Sequence, residues 1–205
     1  MSVSFRSAGV QDEFAPALLY SSAAAFYDRF AGDARRAQEL LARLFPEPDH
    51  TASVQVCRVA TRDGAVVGAV AAFPAADGDR LARRFLALAV PRIPPWQWPS
   101  VARQLRAARR LTPPVPREAW YIDALAVAPE ARRRGVARGL LADAEACARA
   151  MGAPLLALDT TLENAAARAL YESEGFEAGV VRRADSERAR RMLGVSGFVA
   201  YRKRL

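Results

Sequence analysis

The sequence of 205 residues has only one histidine and two cysteines, and this scarcity excludes several kinds of site. His50 alone cannot form a multi-histidine metal centre, and no other residue points to a histidine-dependent nucleophile. Cys57 and Cys147 are too few for a disulfide scaffold, lack metal-ligand spacing and lie in apolar patterns that favour the core. We therefore expect no metal, and we expect His50 to be solvated in the polar loop between Pro48 and Thr51.

Long apolar segments are also missing. No run of about 18 or more apolar residues occurs, so no helix is expected to span a membrane. The first residues lack the apolar core of a signal peptide, which favours a cytoplasmic protein. With 52% hydrophobic and 25% charged residues, the composition is that of a globular protein. We expect a single domain over residues 1–205, with an insertion over about residues 74–117.

The net charge of +8 comes almost wholly from arginine, because Lys203 is the only lysine. A basic surface permits binding to nucleic acid or another polyanion. The arginines are scattered, however, and no basic helix with interleaved aromatic residues stands out. Nucleic-acid binding is therefore not expected, although a polyanion-binding function stays as a third hypothesis beside the two given below.

Apolar periodicity predicts strands and helices in an order typical of an α/β or α+β domain around a mixed sheet. Asp63-Gly64 between two β-branched runs predicts a hairpin, and residues 184–193 are expected to form a polar link. The predicted strands are residues 4–8, 54–61, 65–73, 120–127, 155–158, 178–183 and 197–203. The predicted helices are residues 11–30, 33–44, 78–88, 100–111, 135–151 and 164–173.

The insertion contains two predicted helices among segments rich in proline and tryptophan. We expect it to cap one face of the domain, and two interpretations stay open. It is either a structural lid or homodimer contact, or one wall of a substrate pocket. The candidate wall residues are Trp96, Trp98, Trp120 and Phe26.

Residues 132–139, Arg-Arg-Arg-Gly-Val-Ala-Arg-Gly, lie where a predicted strand leads into a helix. The first turn of a helix exposes N–H groups without intrahelical partners, and the helix dipole adds positive potential there. Small residues at Gly135, Ala137 and Gly139 are expected to let an anion approach the backbone. The segment therefore predicts a phosphate or pyrophosphate site, although it is neither a P-loop nor a complete dinucleotide fingerprint.

Together these motifs resemble the GNAT superfamily of N-acetyltransferases. The family pattern Gln/Arg-x-x-Gly-x-Gly/Ala is matched by Arg132, Gly135 and Ala137, with alanine at the last position. Downstream, Asn164-Ala-Ala-Ala-Arg-Ala-Leu-Tyr-Glu-Ser-Glu-Gly-Phe176 matches the family's Asn…Leu-Tyr…Gly-Phe segment. The resemblance covers about residues 120–178. It implies a mixed, mostly antiparallel central sheet flanked by helices, with the helical insertion before the fourth strand.

The resemblance also implies acetyl-CoA as co-substrate and a set of residues that bind it. The backbone of Leu125 and Val127 would pair with the pantetheine arm like an added strand. The Leu125 N–H would stabilise the oxyanion, and Asn164 would hold the arm where two strands part. The residues implied at the pyrophosphate are Arg132, Arg133, Gly135, Val136, Ala137 and Arg138.

Tyr171 and Asp123 are the candidate acid and base. Tyr171 follows Asn164 by two helical turns, and a phenol with a pKa near 10 suits protonation of a departing thiolate. Asp123 is expected to share a strand face with Tyr121 and Leu125 by period-two alternation, which places a carboxylate near the incoming amine. A structural carboxylate at this position, with a water chain as the base, stays open as the alternative.

The first hypothesis is an N-acetyltransferase in which a primary amine attacks acetyl-CoA directly in a ternary complex. The alternative is a catalytically weak GNAT-like module that binds CoA as a sensor or partner domain. Surface charge does not identify the amine acceptor, because it does not show where the arginines point.

Overall fold

A computed structural model describes residues 3–205 of the chain, and of Arg188 only the backbone. Within these residues the strands are β1 Val3–Ser7, β2 Cys57–Arg62, β3 Ala65–Pro74, β4 Trp120–Val127, β5 Leu155–Thr161, β6 Glu177–Arg183 and β7 Gly197–Arg204. The α-helices are α1 Ala15–Ser22, α2 Ala24–Ala31, α3 Ala34–Leu44, α4 Gly78–Ala89, α5 Trp98–Leu111, α6 Val136–Ala150, α7 Ala165–Ser173 and α8 Glu187–Leu193. In this part of the chain no helix combines the length and apolar character needed to cross a membrane.

The strands form one sheet in the order β1-β2-β3-β4-β5-β7-β6. All neighbouring strands are antiparallel except β4 and β5, which are parallel. This confirms the expected mixed, mostly antiparallel sheet flanked by helices. Asp63 and Gly64 connect β2 to β3 with φ angles of 51° and 82°, as the two-residue turn of a hairpin requires.

The two faces of the sheet carry separate hydrophobic clusters, which we call the front and back faces. On the front face, helices α1 to α5 bury Ala69 and Ala71. Ala124 packs against the same cluster but stays partly exposed. On the back face, α6 and α7 pack against Val70 and Ile122. Removal of this apolar surface from water is the main force that holds helices to the sheet.

Two elements differ in kind from the sequence prediction, beyond shifts of a few residues at element ends. The helix expected over residues 11–30 is broken at Ala23, whose φ and ψ of −144° and 39° are not helical. The polar link expected over residues 184–193 contains helix α8. The Ser186 side chain caps it by accepting from the Ala189 N–H, and Gly194 ends it in a left-handed conformation. The capping residues therefore stabilise a helix here although the segment is polar.

His50 is not solvated, as expected from its polar neighbours, but fully buried. Its Nδ1 accepts a hydrogen bond from the Ala52 N–H at 3.2 Å, so Nε2 carries the proton and donates to the Leu44 carbonyl at 2.8 Å. The ring also lies 5.8 Å from the ring of Phe85. Burial lowers the pKa of His50, because desolvation disfavours the charged imidazolium.

We expect the buried His50 to make the protein sensitive to acid. Its pKa is lowered from 6.5 in the folded state, so below this pH the unfolded chain takes up a proton that the folded chain does not. The free energy of unfolding should then fall by up to ~1.4 kcal/mol per pH unit, until the folded-state pKa is reached. Urea denaturation of the wild type and His50→Gln across this range measures the effect. At neutral pH the free energy of unfolding of His50→Gln should be about 1–3 kcal/mol lower than that of the wild type. The variant should also lack the fall in this free energy with decreasing pH that His50 causes. Equal pH dependence in the two proteins would contradict the assignment.

Candidate active site

The site begins where strands β4 and β5 separate. Their parallel pairing joins Trp120 to Leu156, Tyr121 to Ala157 and Ile122 to Leu158. Within the described residues the two strands do not pair beyond this point. Both strands continue, β4 to Val127 and β5 to Thr161. A gap therefore opens between them at their carboxyl ends, where an extended ligand can reach the backbone of either strand.

A β-bulge in β4 lies at the start of this gap. Ala72 of β3 pairs with Ile122 and Ala71 pairs with Ala124, so Asp123 is left without a partner on β3. The extra residue shifts the alternation of side chains along β4. Trp120 and Ile122 face the back cluster before the bulge, and Leu125 and Val127 face it afterwards.

The bulge corrects the face that we expected for Asp123. The negative charge of Asp123 contributes to the raised pKa values of Tyr121 and of Tyr27 in α2, so its side chain lies on the front face. Leu125 lies on the back face. Asp123 therefore shares a face with Tyr121, as expected, but not with Leu125, because simple period-two alternation does not hold through a bulge.

The N–H groups of Leu125 and Val127 point into the gap. The Ala128 N–H donates to the Val67 carbonyl at 2.9 Å, toward β3. Since successive N–H groups of a strand point to opposite sides, those of residues 127 and 125 point away from β3. The Val127 carbonyl accepts from Arg132 Nε at 3.1 Å, which fixes the start of the following loop against β4.

The loop after β4 ends in an uncapped helix. Gly135 precedes α6 in a left-handed conformation with φ of 79°, and no side chain caps the helix. Arg133 also has a positive φ, 61°. The Gly139 N–H bonds to the Gly135 carbonyl, so the N–H groups of residues 136 to 138 lie before the first intrahelical bond. A Cβ atom on Gly135 would meet nothing within 4 Å, so the space in front of these amides is open.

The charges around this loop favour an anion. The side chains of Arg132, Arg133 and Arg134 are exposed. Arg138 forms an ion pair with Glu174, whereas no acidic partner of Arg133 or Arg134 is found within residues 3–205. The uncompensated guanidinium groups add to the positive potential of the helix start.

Gly139 has a different role from the one expected. A Cβ atom there would lie 2.1 Å from Cζ of Phe5. The glycine therefore makes room for the β1 side chain to pack against α6, and it does not serve the approach of an anion. The contact joins residues far apart in the sequence, which local glycine spacing does not reveal.

Asn164 and Tyr171 lie on the other side of the gap. Asn164 directly precedes α7, and Tyr171 lies within this helix. The Asn164 Oδ1 accepts from the Ala167 N–H at 3.2 Å and caps the helix, which leaves its amide N–H groups as donors. Tyr171 is 7% exposed, and its ring lies 5.6 Å from that of Tyr201 and 5.9 Å from that of Phe176. Within the described residues its hydroxyl makes no hydrogen bond.

Burial raises the pKa of Tyr171 to about 12, and the negative charge of Asp159 contributes. The phenol is therefore neutral and can act as a proton donor at physiological pH. The charge of Asp159 acts on Tyr171 although the Tyr171 ring packs in the back cluster.

Asp159 is a site residue that the sequence prediction missed. Its Oδ2 accepts a hydrogen bond from the Tyr121 hydroxyl at 2.6 Å. Burial raises the pKa of Asp159, and this hydrogen bond opposes the rise. The only sequence signal was an acidic residue directly after the apolar run of residues 155–158, where the predicted strand was ended too early.

Asp123 is the second carboxylate of this region. Its side chain reaches solvent, yet protein atoms surround it densely enough that desolvation raises its pKa to about 7, with a further contribution from the charge of Asp159. At neutral pH this carboxyl group exchanges readily between its acid and base forms.

The candidate pocket-wall residues do not come together. Trp96 is 78% exposed and Trp98 is 46% exposed. Trp120 packs in the back cluster, whereas Phe26 stacks on Phe30 on the other side of the sheet.

A strand gap, an uncapped helix start and a neutral phenol are the parts that a site for a long ligand with an anionic group at one end would need. The model of the acetyltransferase (GNAT) family matches residues 18–176, more than half of the chain. The chain belongs to this family, and the family uses acetyl-CoA.

Solved structures show the same fold. An acetyltransferase structure is 19% identical over 98% of both chains, with a TM-score of 0.70. An N-acetyltransferase from Staphylococcus aureus Mu50 is 15% identical over 97% of this chain and 98% of its own, with a TM-score of 0.67. The Drosophila melanogaster polyamine N-acetyltransferase, which forms N-acetylagmatine, is 19% identical over 100% of both chains, with a TM-score of 0.59. Among curated protein sequences, none is significantly similar.

We expect Gly135→Val to abolish acetyl-CoA binding, because its side chain would fill the open space before the α6 amides and oppose a φ of 79°. Arg134→Ala should weaken binding only about two- to fivefold, since an exposed charge contributes little. Isothermal titration calorimetry measures both. Gly152→Val is the matched control, because Gly152 has a φ of 73° and equally open surroundings at the other end of α6. Unimpaired binding by Gly135→Val would remove this loop from the site.

Proposed function

We propose that the protein transfers the acetyl group of acetyl-CoA to a primary amine, by direct attack of the amine in a ternary complex. The observation that carries the proposal is the gap between β4 and β5, with the N–H groups of Leu125 and Val127 directed into it. In this proposal the ligand runs along the gap from the uncapped start of α6 toward Tyr171 in α7. The start of α6 would supply an anion site, the backbone of β4 a strand edge, and Tyr171 a proton donor.

The residues around the gap fit the cofactor. The Leu125 and Val127 backbone would pair with the pantetheine arm, and the free amide of Asn164 would bind the arm from the α7 side. The loop would hold the pyrophosphate mainly through backbone N–H groups, because these are fixed in direction while the arginine side chains are mobile and hydrated. The residues of this anion site are Arg132, Arg133, Gly135, Val136, Ala137 and Arg138.

Three groups of the chain would then serve the chemistry. Acetyl-CoA, when bound, supplies a thioester that an amine can attack. The Leu125 N–H is available to donate to an oxyanion in the gap. The Tyr171 hydroxyl, without a protein partner in the described chain, is free to donate its proton to a departing thiolate.

Asp123 is the proposed base for the attacking amine. With a pKa of about 7, it can accept a proton at physiological pH and release it to water through its solvent-accessible side. Its place in the bulge supports this role, because the side chain stands at the mouth of the gap on the front face.

Thiol release from acetyl-CoA with a panel of amines tests the proposed function. Tyr171→Phe should lower turnover about 100-fold while the affinity for acetyl-CoA stays within about twofold. Tyr20→Phe is the matched control, because the Tyr20 hydroxyl donates to Asp28 and has no role in the proposed chemistry. Full turnover in Tyr171→Phe would exclude the acid role. Binding of acetyl-CoA with no thiol release for any amine would favour the CoA-binding module instead.

The pH dependence of kcat/KM tests the base. The base form of Asp123 appears as the pH rises through about 7, so the wild-type profile should rise with a limb near that value. Asp123→Asn should lose this limb and about 100-fold of activity at neutral pH, leaving only the rise caused by deprotonation of the amine itself. If the variant keeps the wild-type profile, a water chain or another group is the base.

A further inference from the structure

The positive charge of the chain is concentrated in the insertion. Residues 80–117 contain nine arginines and no aspartate or glutamate. Because the net charge of the whole chain is +8, the rest of the chain is close to neutral. The arginines are therefore less scattered than their spread along the whole sequence suggested, and the basic character of the protein belongs to one part of the fold.

Helix α5 of the insertion presents four exposed arginines, which are Arg103, Arg106, Arg109 and Arg110. The helix contains no acidic residue, and none of the four side chains forms an ion pair within residues 3–205. The opposite side of the helix is held against the domain by Gln104, whose Nε2 donates to the Phe26 carbonyl of α2 at 2.8 Å. The uncompensated positive charge of α5 therefore faces solvent.

Helix α8 and the end of α2 extend this surface. Leu111 of α5 and Leu193 of α8 belong to one hydrophobic cluster, so the two helices pack side by side. Arg190 and Arg191 of α8 share one acidic partner, Glu187, at 4.0 and 3.6 Å. Arg29 of α2 donates through Nε to the Arg191 carbonyl at 3.2 Å. We call the exposed arginines of these three helices the basic surface: Arg29, Arg103, Arg106, Arg109, Arg110, Arg190 and Arg191.

Two exposed tryptophans lie at the amino end of α5. Trp98 begins the helix and is 46% exposed, and Trp96 in the preceding turn is 78% exposed. The Trp98 Nε1 donates to the Ile93 carbonyl at 3.0 Å, which holds one edge of its ring in place. Arg106 and Arg109 follow Trp98 by about two and three helical turns, so the ring lies on the arginine side of the helix.

This combination fits single-stranded nucleic acid better than other polyanions. A guanidinium group binds phosphate through parallel N–H donors and stacks on bases, and unpaired bases also stack on exposed aromatic rings. A membrane surface would require an apolar stripe on the exposed side of the helix, whereas the apolar residues Val101 and Leu111 of α5 are buried. An acidic peptide would match the charge but supplies no bases for the indole rings.

We propose that the basic surface binds single-stranded nucleic acid, with phosphates at the arginines and bases stacked on Trp96 and Trp98. The charge supplies most of the affinity, and the two indole rings distinguish a nucleic acid from a polyanion without bases. This binding does not depend on whether the protein transfers acetyl groups.

Fluorescence anisotropy with a labelled oligouridylate of about 12 nucleotides tests the arginines. The combined variant Arg103→Gln, Arg106→Gln and Arg110→Gln should bind at least about tenfold more weakly near 0.1 M salt. The slope of log K against log salt should fall by about two, since each phosphate contact to a single strand contributes about 0.7.

The matched control is the combined variant Arg35→Gln, Arg36→Gln and Arg43→Gln, which removes the same charge from exposed positions of α3. Its affinity for the oligouridylate should stay within about twofold of the wild type, because these arginines lie outside the basic surface. Equal weakening by the two variants would show an effect of net charge alone and would overturn the proposal, as would a wild type that does not bind.

Trp96→Ala tests the stacking. The variant should bind the oligouridylate about fivefold or more weakly, while its affinity for inorganic polyphosphate, which has charge but no bases, stays within about twofold. Phe14→Ala removes another exposed aromatic ring and should change neither affinity. Unchanged oligouridylate binding by Trp96→Ala overturns the proposal. Tighter binding of the wild type to vesicles containing phosphatidylserine, or to polyglutamate, than to the oligouridylate overturns it as well, in favour of a membrane or an acidic protein.

Discussion

The short parallel pairing of β4 with β5 is the constraint on which the site depends. The pairing ends at Ile122 and Leu158, and the backbone of β4 beyond this point has a partner only on the β3 side. An unpaired strand edge inside a sheet is unfavourable unless a ligand or water satisfies it. In the proposed function this unsatisfied edge is the binding surface, between the uncapped start of α6 and Tyr171.

The gap also brings together side chains from opposite faces of the sheet. Tyr121 and Asp159 belong to the front face and Tyr171 to the back cluster, yet the charge of Asp159 raises the pKa of Tyr171. A continuous sheet would keep these groups apart. In the proposed function, the proton donor and the base reach one reacting centre because the strands separate there.

Features set by local sequence were predictable, and those set by distant contacts were not. The uncapped start of α6 beside exposed arginines follows from Gly135 and the neighbouring arginines, which are adjacent in sequence. The bulge at Asp123 depends on the register with β3, and the role of Asp159 depends on Tyr121, 38 residues away. Likewise, the burial of His50 depends on Leu44 and Phe85, while its flanking Pro48 and Thr51 indicate only a polar loop. Periodicity describes one strand at a time, so it predicted most of the elements but placed Leu125 on the wrong face relative to Asp123.

The bulge has a consequence for how this protein could acquire a different acceptor. Along the rest of β4, each side chain is constrained by the packing of one face of the sheet, and a substitution there changes stability as well as chemistry. Asp123 has no partner in the β3 ladder, and its side chain belongs to neither hydrophobic cluster. A change at this position alters the chemistry at the mouth of the gap while the cores on both sides are preserved. Position 123 is therefore where selection can remove the proposed base, as for an acceptor whose amine is already unprotonated, with little loss of stability.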